Sequence, residues 1–263
     1  MTDAKTVLIT GAGSGIGRAL AVEGAKRGYH LILAARTESS LHATAAALCG
    51  GTVICVPADV TTAEGRCAIV AAADGRLDVL INNAGTLSVG HLRDLEDEAL
   101  ERMTATNLTA PIALTRDLLP ALIAAQGRVV NIGSVFGDIA YPFFAAYSAT
   151  KFGLRGFSEA LRREMSGRGV GVTYIAPRAT RTAAEAEFAA LIEPLAMTLD
   201  APERVAREAW DAIEAGRRES FPRGKERFFV RLQRIFPSLV DKSVGAQARD
   251  ARTLHALETV SKA

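Results

Sequence analysis

The chain has 263 residues, 49% of them hydrophobic and 23% charged, with a formal net charge of +2. This composition can bury a full-sized core and argues against global disorder, and the near-neutral balance argues against a general nucleic-acid binder, which needs a strong basic excess. Three cysteines, Cys49, Cys55 and Cys67, form no Cys-x-x-Cys pair and the four histidines are scattered; a disulfide framework and a metal site are therefore not expected, and free thiols point to a reducing compartment, the cytoplasm.

Met1 to Lys5 leads straight into the apolar run Val7 to Ile9, without the basic and long apolar regions of a secretory signal. The best membrane-spanning candidate, Pro111 to Ala125, is too short and is broken by Arg116 and Asp117. Strands are predicted at Thr6–Thr10, His30–Ala34, Thr52–Val56, Asp78–Ile81, Arg128–Ile132 and Gly171–Ile175. These runs are rich in Val, Ile and Leu with little alternation, as strands buried on both faces require. Ala-, Leu-, Glu- and Arg-rich segments of helical length separate them. This order predicts one α/β domain: a doubly wound parallel sheet with helices on both faces and right-handed crossovers. No interdomain linker, low-complexity tract or internal repeat interrupts it. The rhythm changes after Pro177. A helix is predicted over Thr182–Leu195, a second from Ala201-Pro202-Glu203, and a short run near Ser220-Phe221. The domain core is read as 5–222 and the rest, 223–263, as a helical tail, basic and apolar from Arg223 to Val244.

Between the first strand and the first helix stands Thr10-Gly11-Ala12-Gly13-Ser14-Gly15-Ile16-Gly17. Glycines here permit a tight turn and let main chain approach a pyrophosphate, and the first N–H groups of the helix face that anion. The spacing is Gly-x-x-x-Gly-x-Gly rather than Gly-x-Gly-x-x-Gly. Its position makes a dinucleotide site of the Rossmann type the expectation. The second strand ends in Leu33-Ala34-Ala35-Arg36, where an acidic residue would hold a ribose 2′-hydroxyl. Arg36 instead suits a 2′-phosphate and favours NADP(H) over NAD(H). The turn itself supplies no second cation.

These residues resemble the short-chain dehydrogenase/reductase family. The glycine turn matches that family's cofactor turn, Asn82-Asn83-Ala84-Gly85 its Asn-Asn-Ala-Gly, and Asp59-Val60 the pair beside adenine. Asn107, Ser134, Tyr147 and Lys151 match its catalytic tetrad in order and spacing. The resemblance runs from about Lys5 to Thr182. It implies a cofactor held by Gly11, Ser14, Gly15, Ile16, Gly17, Arg36, Asp59, Val60, Asn83, Ala84 and Gly85, with Tyr147, Lys151, Pro177, Thr180 and Thr182 at the nicotinamide end. It further implies that Lys151 binds the nicotinamide ribose, that Asn107 holds a water linking Lys151 to solvent, and that Asn83 braces the central strand. Dimers or tetramers built on the helices at 111–125 and 145–165 are also implied. One departure stands out: Arg178 follows Pro177 where the family has glycine, which puts the local loop geometry in question.

Reducing a ketone needs a hydride at carbon and a proton at oxygen; nicotinamide brings the first, and protein must bring the second. Tyr147 and Lys151, four residues apart in the helical stretch Ala145 to Met165, share one face. A free tyrosine has a pKa of about 10. An ammonium about 5 Å away at an effective dielectric of about 20 favours phenolate by roughly 3 kcal/mol, about two pKa units. Ser134, just beyond the fifth strand, can donate to the substrate oxygen. Thr10 is read as a structural hydroxyl beneath the turn.

Val135, Phe136, Ile139, Tyr141, Pro142, Phe143 and Phe144 are expected to give the substrate site an apolar, partly aromatic wall, fitting an apolar ketone or aldehyde. A 3-oxoacyl thioester is the nearest rival substrate, with Arg178, Arg181 and the tail arginines as its basic entrance. A non-catalytic NADP(H)-binding regulator is the rival of another class. The tail reads as a helix covering the substrate site or a subunit face, with an interfacial helix meeting anionic lipid as the alternative.

Overall fold

The computed structural model describes residues 4–222 and 224–260. Met1–Asp3, Arg223 and the last three residues, on which parts of the leader and tail readings fall, lie outside them. Seven strands make one all-parallel sheet: β1 (Thr6–Thr10), β2 (His30–Ala35), β3 (Val53–Pro57), β4 (Val79–Asn82), β5 (Arg128–Ile132), β6 (Gly171–Ile175) and β7 (Glu219–Ser220). Their order is β3-β2-β1-β4-β5-β6-β7. The order reverses between β1 and β4, and ligands of such sheets bind at the carboxyl ends of the strands beside that reversal.

The five inner strands are buried on both faces, so their residues divide between two cores. Val7, Ile9, Leu31, Leu33 and Ile81 pack under α1 (Gly15–Lys26) and α7 (Pro202–Glu214), where Trp210 is fully buried and donates its indole N–H to Leu20 O at 2.9 Å. Leu8, Ile32, Leu80 and Val129 pack against α3 (Ala63–Ala72), α5 (Ala110–Ala124) and α6 (Ala145–Glu164). Each fully buried Leu or Ile contributes roughly 2 kcal/mol of transfer free energy. The shorter helices α2 (Glu38–Ala45) and α4 (Asp97–Thr104) complete the layers. One polar ladder runs through this apolar interior. Asn82 Nδ2 donates to Asn131 Oδ1 (2.9 Å) and Thr115 Oγ1 (3.1 Å), and Asn131 Nδ2 donates to Ser158 Oγ (2.8 Å). Asn82, though part of the Asn-Asn-Ala-Gly run, is thus a structural residue tying β4, β5, α5 and α6 together.

The predicted helix over Thr182–Leu195 is not formed. The chain makes two short 3₁₀ turns instead, at Ala183–Glu187 and Ala189–Leu191. The cause is closure. Thr180 bridges to Asp200, and Arg181 N–H donates to Asp200 O at 2.9 Å. The segment must therefore return to its starting point, whereas a 14-residue helix would carry it about 21 Å away. The short run near Ser220 is a seventh strand, beginning one residue earlier than read.

Three helices form the tail: α8 (Lys225–Ile235), α9 (Pro237–Arg249) and α10 (Ala251–Val260). Ala256 and Leu257 of α10 are buried with Phe144, Phe188, Leu191 and Leu195 in a third apolar cluster.

Candidate active site

The glycine turn lies where β1 ends, folded against the end of β4. Asn83 and Ala84 donate their N–H groups to Thr10 Oγ1 (3.0 and 3.1 Å), and Asn83 Nδ2 donates to the carbonyls of Thr10 (2.9 Å) and Gly11 (3.3 Å). Thr10 is the buried hydroxyl the sequence suggested, and Asn83 braces the turn itself as well as the strand end. No side chain fits at the contact points. A Cβ on Gly17 would stand 2.1 Å from Gly11 O, and one on Gly11, whose φ is +65°, would stand 2.9 Å from Ala84 Cα.

A cleft of about 420 Å³ opens over this turn. Gly11, Ser14, Gly15, Ile16, Arg36, Asp59, Val60, Asn83, Ala84, Gly85 and Thr182 line it together. Burial opposes ionisation of Asp59, yet two hydrogen bonds from Thr61 and the charge of Arg36 hold its carboxyl below the usual carboxylate range. The structure adds Gly13, Thr37, Ser40 and Arg102 to the lining. Arg102 comes from α4, far from the turn in sequence, and no local pattern marks it.

A second cavity, of about 190 Å³, continues from this cleft and shares Ile16, Asn83, Gly85 and Thr182 with it. Ser134, Tyr147, Lys151, Pro177 and Thr180 line it as well. Ser134 follows β5; its Oγ accepts the Phe136 N–H at 3.1 Å, which leaves the hydroxyl proton free to donate. Helix α6 brings Tyr147 and Lys151 onto one face, with Lys151 Nζ 5.5 Å from the centre of the phenol ring. Lys151 is buried and its Nζ donates to Ile132 O at 3.1 Å.

Spacing alone predicts a phenol lowered by its lysine, and the structure differs. Burial pushes Tyr147 up to about 12, with a side-chain hydrogen bond from the Ser134 hydroxyl pulling the other way, and burial brings Lys151 down to about 8. Both groups line one cavity, where loss of hydration penalises each charged form. The ammonium is aimed at a carbonyl rather than at the phenol oxygen. Burial thus favours the neutral form of the phenol.

Asn107 lies in a π-helical turn, Ala105–Thr109, joining α4 to α5. Its Oδ1 accepts the Thr86 N–H (2.9 Å), and its Nδ2 donates to Thr86 O (2.7 Å) and Thr150 Oγ1 (3.2 Å). It fastens the chain after β4 to the base of α6, one residue before Lys151. Irregular turns of this kind often mark functional sites.

Of the expected aromatic wall, Val135, Phe136 and Phe144 line the catalytic cavity. Ile139 and Tyr141 line a third, adjoining chamber of about 220 Å³, which shares Val135, Phe136, Arg178, Ala179 and Met197 with the catalytic cavity. Its outer wall is supplied by α8 and α9. Pro142 and Phe143 line neither; Phe143 stands edge-on to His91, with ring centres 5.3 Å apart.

Arg178 resolves the loop question. Its Nε and Nη2 donate to Asp200 Oδ2 and Oδ1 at 2.9 and 2.8 Å, and its Nη1 donates to Glu226 Oε1 at 2.9 Å. Where the family's glycine would leave a bare backbone, this guanidinium ties the chain after β6 to the start of α7 and to α8. The far end of α8 is tied too: Arg234 donates to Asp138 Oδ1 at 3.1 Å, and Arg155 bonds the same oxygen. Tyr141 Oη donates to Gln247 Oε1 of α9 at 3.0 Å.

Residues 5–191 match the model of the short chain dehydrogenase family. Relatives include the ketoacyl reductase HetN of Nostoc, 37% identical over 66% of this chain and 62% of that protein, and 11-beta-hydroxysteroid dehydrogenase A of Sesamum indicum, 41% identical over 66% of this chain and 51% of that protein. The matched stretch thus spans between about half and two thirds of the length of these relatives. Among solved structures, a short-chain dehydrogenase from Sphingobium yanoikuyae in complex with NADPH is similar with a TM-score of 0.78 and 32% identity, over 90% of this chain and 95% of that one. A short-chain dehydrogenase from Streptomyces avermitilis is similar with a TM-score of 0.80 and 30% identity, over 95% of this chain and 100% of that one. With the family model covering six of the seven strands, the glycine turn and all four tetrad residues, the chain belongs to the short-chain dehydrogenase/reductase family.

Proposed function

We propose that this protein is an NADP(H)-dependent reductase of apolar ketones or aldehydes. The observation that carries the reading is Tyr147 and Ser134 lining one cavity that is continuous with both a nucleotide-shaped cleft and an apolar chamber. The fit to a dinucleotide rests on the cleft over the glycine turn, whose main chain packs so closely on itself, Asn83 and Ala84 that no Cβ fits at Gly11 or Gly17. Gly11 to Gly17 would hold its pyrophosphate, Asp59 and Val60 would flank its adenine, and Tyr147, Lys151, Pro177, Thr180 and Thr182 would surround its nicotinamide end. When bound, the nicotinamide supplies the hydride.

The protein's own part is to hold and protonate the substrate oxygen. Ser134 donates a hydrogen bond to it and orients the carbonyl. Tyr147 then delivers its phenolic proton to that oxygen, a general-acid step worth about 10²–10⁴ in rate. Lys151, charged below pH about 8, stabilises the phenolate left behind. Arg36, with the hydroxyls of Thr37 and Ser40 beside it in the cleft, supports a 2′-phosphate and hence NADP(H) over NAD(H). The cysteines carry no disulfide and fit a reducing compartment such as the cytoplasm. Ile112 on α5 and Phe152 on α6, 38% and 42% exposed, fit pairing of these helices between copies in a homodimer or homotetramer.

The relatives named as ketoacyl reductases favour a second reading, reduction of a 3-oxoacyl thioester. Of its basic entrance, Arg178 and Arg234 are engaged by carboxylates, while Arg181, Arg227 and Arg231 stand exposed. The assembled tetrad weighs against a non-catalytic regulator.

The test is oxidation of NADPH and NADH against aliphatic, aromatic and charged carbonyls, with wild type and Tyr147→Phe. The substitution is expected to lower kcat about 1,000-fold and leave NADPH affinity nearly unchanged. Undiminished turnover would remove the mechanism, and a preference for small charged carbonyls would remove the substrate class.

A further inference from the structure

Helix α8 has two faces of opposite character. Val230 points inward and is 4% exposed, flanked by Glu226 and Arg234 in their ion pairs with Arg178 and Asp138. Seven residues apart on the other side, Phe228 and Ile235 are 64% and 68% exposed, followed by Phe236 at 55% and, on α9, Leu239 at 53%. A row of large apolar side chains in water marks a surface that meets something. Exposed Arg227 and Arg231 flank it, and exposed Lys242 lies one turn beyond Leu239. From Lys225 to Arg249 the sequence has six Lys and Arg against two Asp and Glu, and one of those two, Glu226, is engaged by Arg178.

A second observation concerns the tail chamber. Phe229 and Leu239 line it and are also 40% and 53% exposed, so its apolar wall runs out to the surface between α8 and α9, beside the same row. We propose that the α8–α9 hairpin docks on an anionic lipid surface, and that the chamber opens into that surface so that a lipid-dissolved carbonyl reaches Tyr147 without crossing water. The second half of this proposal rests on the reading of the protein as an apolar-carbonyl reductase; the docking itself does not.

The chemistry selects this occupant. Two amphipathic helices with aromatic residues outward and cations beside them lie in the plane of a bilayer interface. No helix among the described residues is long and apolar enough to cross a membrane. A cation held near an anionic surface favours binding by about fivefold. A second copy is the poorer partner, because a two-fold contact through this row brings Arg227 and Arg231 toward their own equivalents.

The experiment is co-sedimentation of the full chain with neutral and with anionic phospholipid vesicles, at low and high salt. Wild type is expected to pellet with anionic vesicles and to be released by salt. Phe228→Ser/Ile235→Ser is expected to weaken partition at least about tenfold, and Arg227→Glu/Arg231→Glu on the order of thirtyfold. Both variants should keep wild-type melting temperature, NADPH binding and turnover of a water-soluble carbonyl. Wild type left in the supernatant with anionic vesicles overturns the docking. So does light scattering that shows the variants dissociating a dimer while vesicle partition stays unchanged, since the occupant is then a second copy. Docking without faster turnover of a vesicle-dissolved carbonyl, by an enzyme active on soluble carbonyls, overturns the chamber mouth alone. A protein that reduces no carbonyl yet partitions as described overturns the functional reading and leaves the docking standing.

Discussion

Around the glycine turn the fixing contacts end on main chain: Asn83 reaches the carbonyls of Thr10 and Gly11, and glycines stand where no side chain fits. Around the tail chamber they run between side chains, with Arg178 on Asp200 and Glu226, Arg234 on Asp138, and Tyr141 on Gln247. A site for an invariant ligand can be written in backbone, which tolerates almost no substitution. A site for a particular substrate is written in side chains that can be exchanged without disturbing the sheet. The two halves meet at the cavity lined by Tyr147, which shares lining residues with both.

Gly17→Val strikes the first half hardest. With its Cβ 2.1 Å from Gly11 O the turn must open, and NADPH affinity measured by fluorescence titration is expected to fall at least about 100-fold. Arg36→Glu tests the same half more gently. It removes a charge-assisted contact to the 2′-phosphate, so NADPH should bind about 10- to 100-fold more weakly while NADH affinity holds or improves; equal loss for both cofactors would refute the role of Arg36. Arg178→Ala addresses the second half. It leaves Asp200 and Glu226 buried with fewer partners, a loss of roughly 3 kcal/mol that thermal melting will read. KM for a bulky apolar carbonyl should rise about tenfold, with cofactor affinity unchanged. Loss of cofactor binding would show that the halves are not separable.

The smallest effect is one of pH. Lys151 is brought down to about 8 by burial, whereas Tyr147, at about 12, stays protonated throughout the working range. Reduction therefore keeps its acid but loses the ammonium that stabilises the phenolate. Its kcat/KM should be flat below pH about 8 and fall by up to about tenfold per pH unit above it. The oxidative direction, which needs phenolate, should rise with pH instead. A reduction rate that climbs above pH 8 contradicts the roles assigned to both residues.

This division also explains what could be read from sequence. Six strands, the glycine turn and the Tyr147–Lys151 pair are local patterns: apolar runs, glycines at fixed spacing, and two residues one helical turn apart; Asn107 and Ser134 join them through the family resemblance. Arg178 shows the opposite case. Its partners lie 22 and 48 residues away, so the sequence reveals a missing glycine but not the clamp that replaces it. Arg102 enters the cofactor cleft from α4 for the same reason. The 182–195 segment has helix-forming composition, and only the closure at Thr180 and Asp200 decides against a helix. The shift of Tyr147 upward follows from enclosure, which depends on packing that spacing does not record.

That closure has a kinetic consequence. Between Thr180 and Asp200 the chain is a flap pinched at its neck. One end carries Thr182, which meets Gly15 over the cofactor turn; the other carries Leu195 and Met197, which line the chamber. Because one loop closed at its neck reaches both sites, a ligand in the chamber is expected to slow release of the nucleotide, which stopped-flow release of NADPH with and without an apolar alcohol will read.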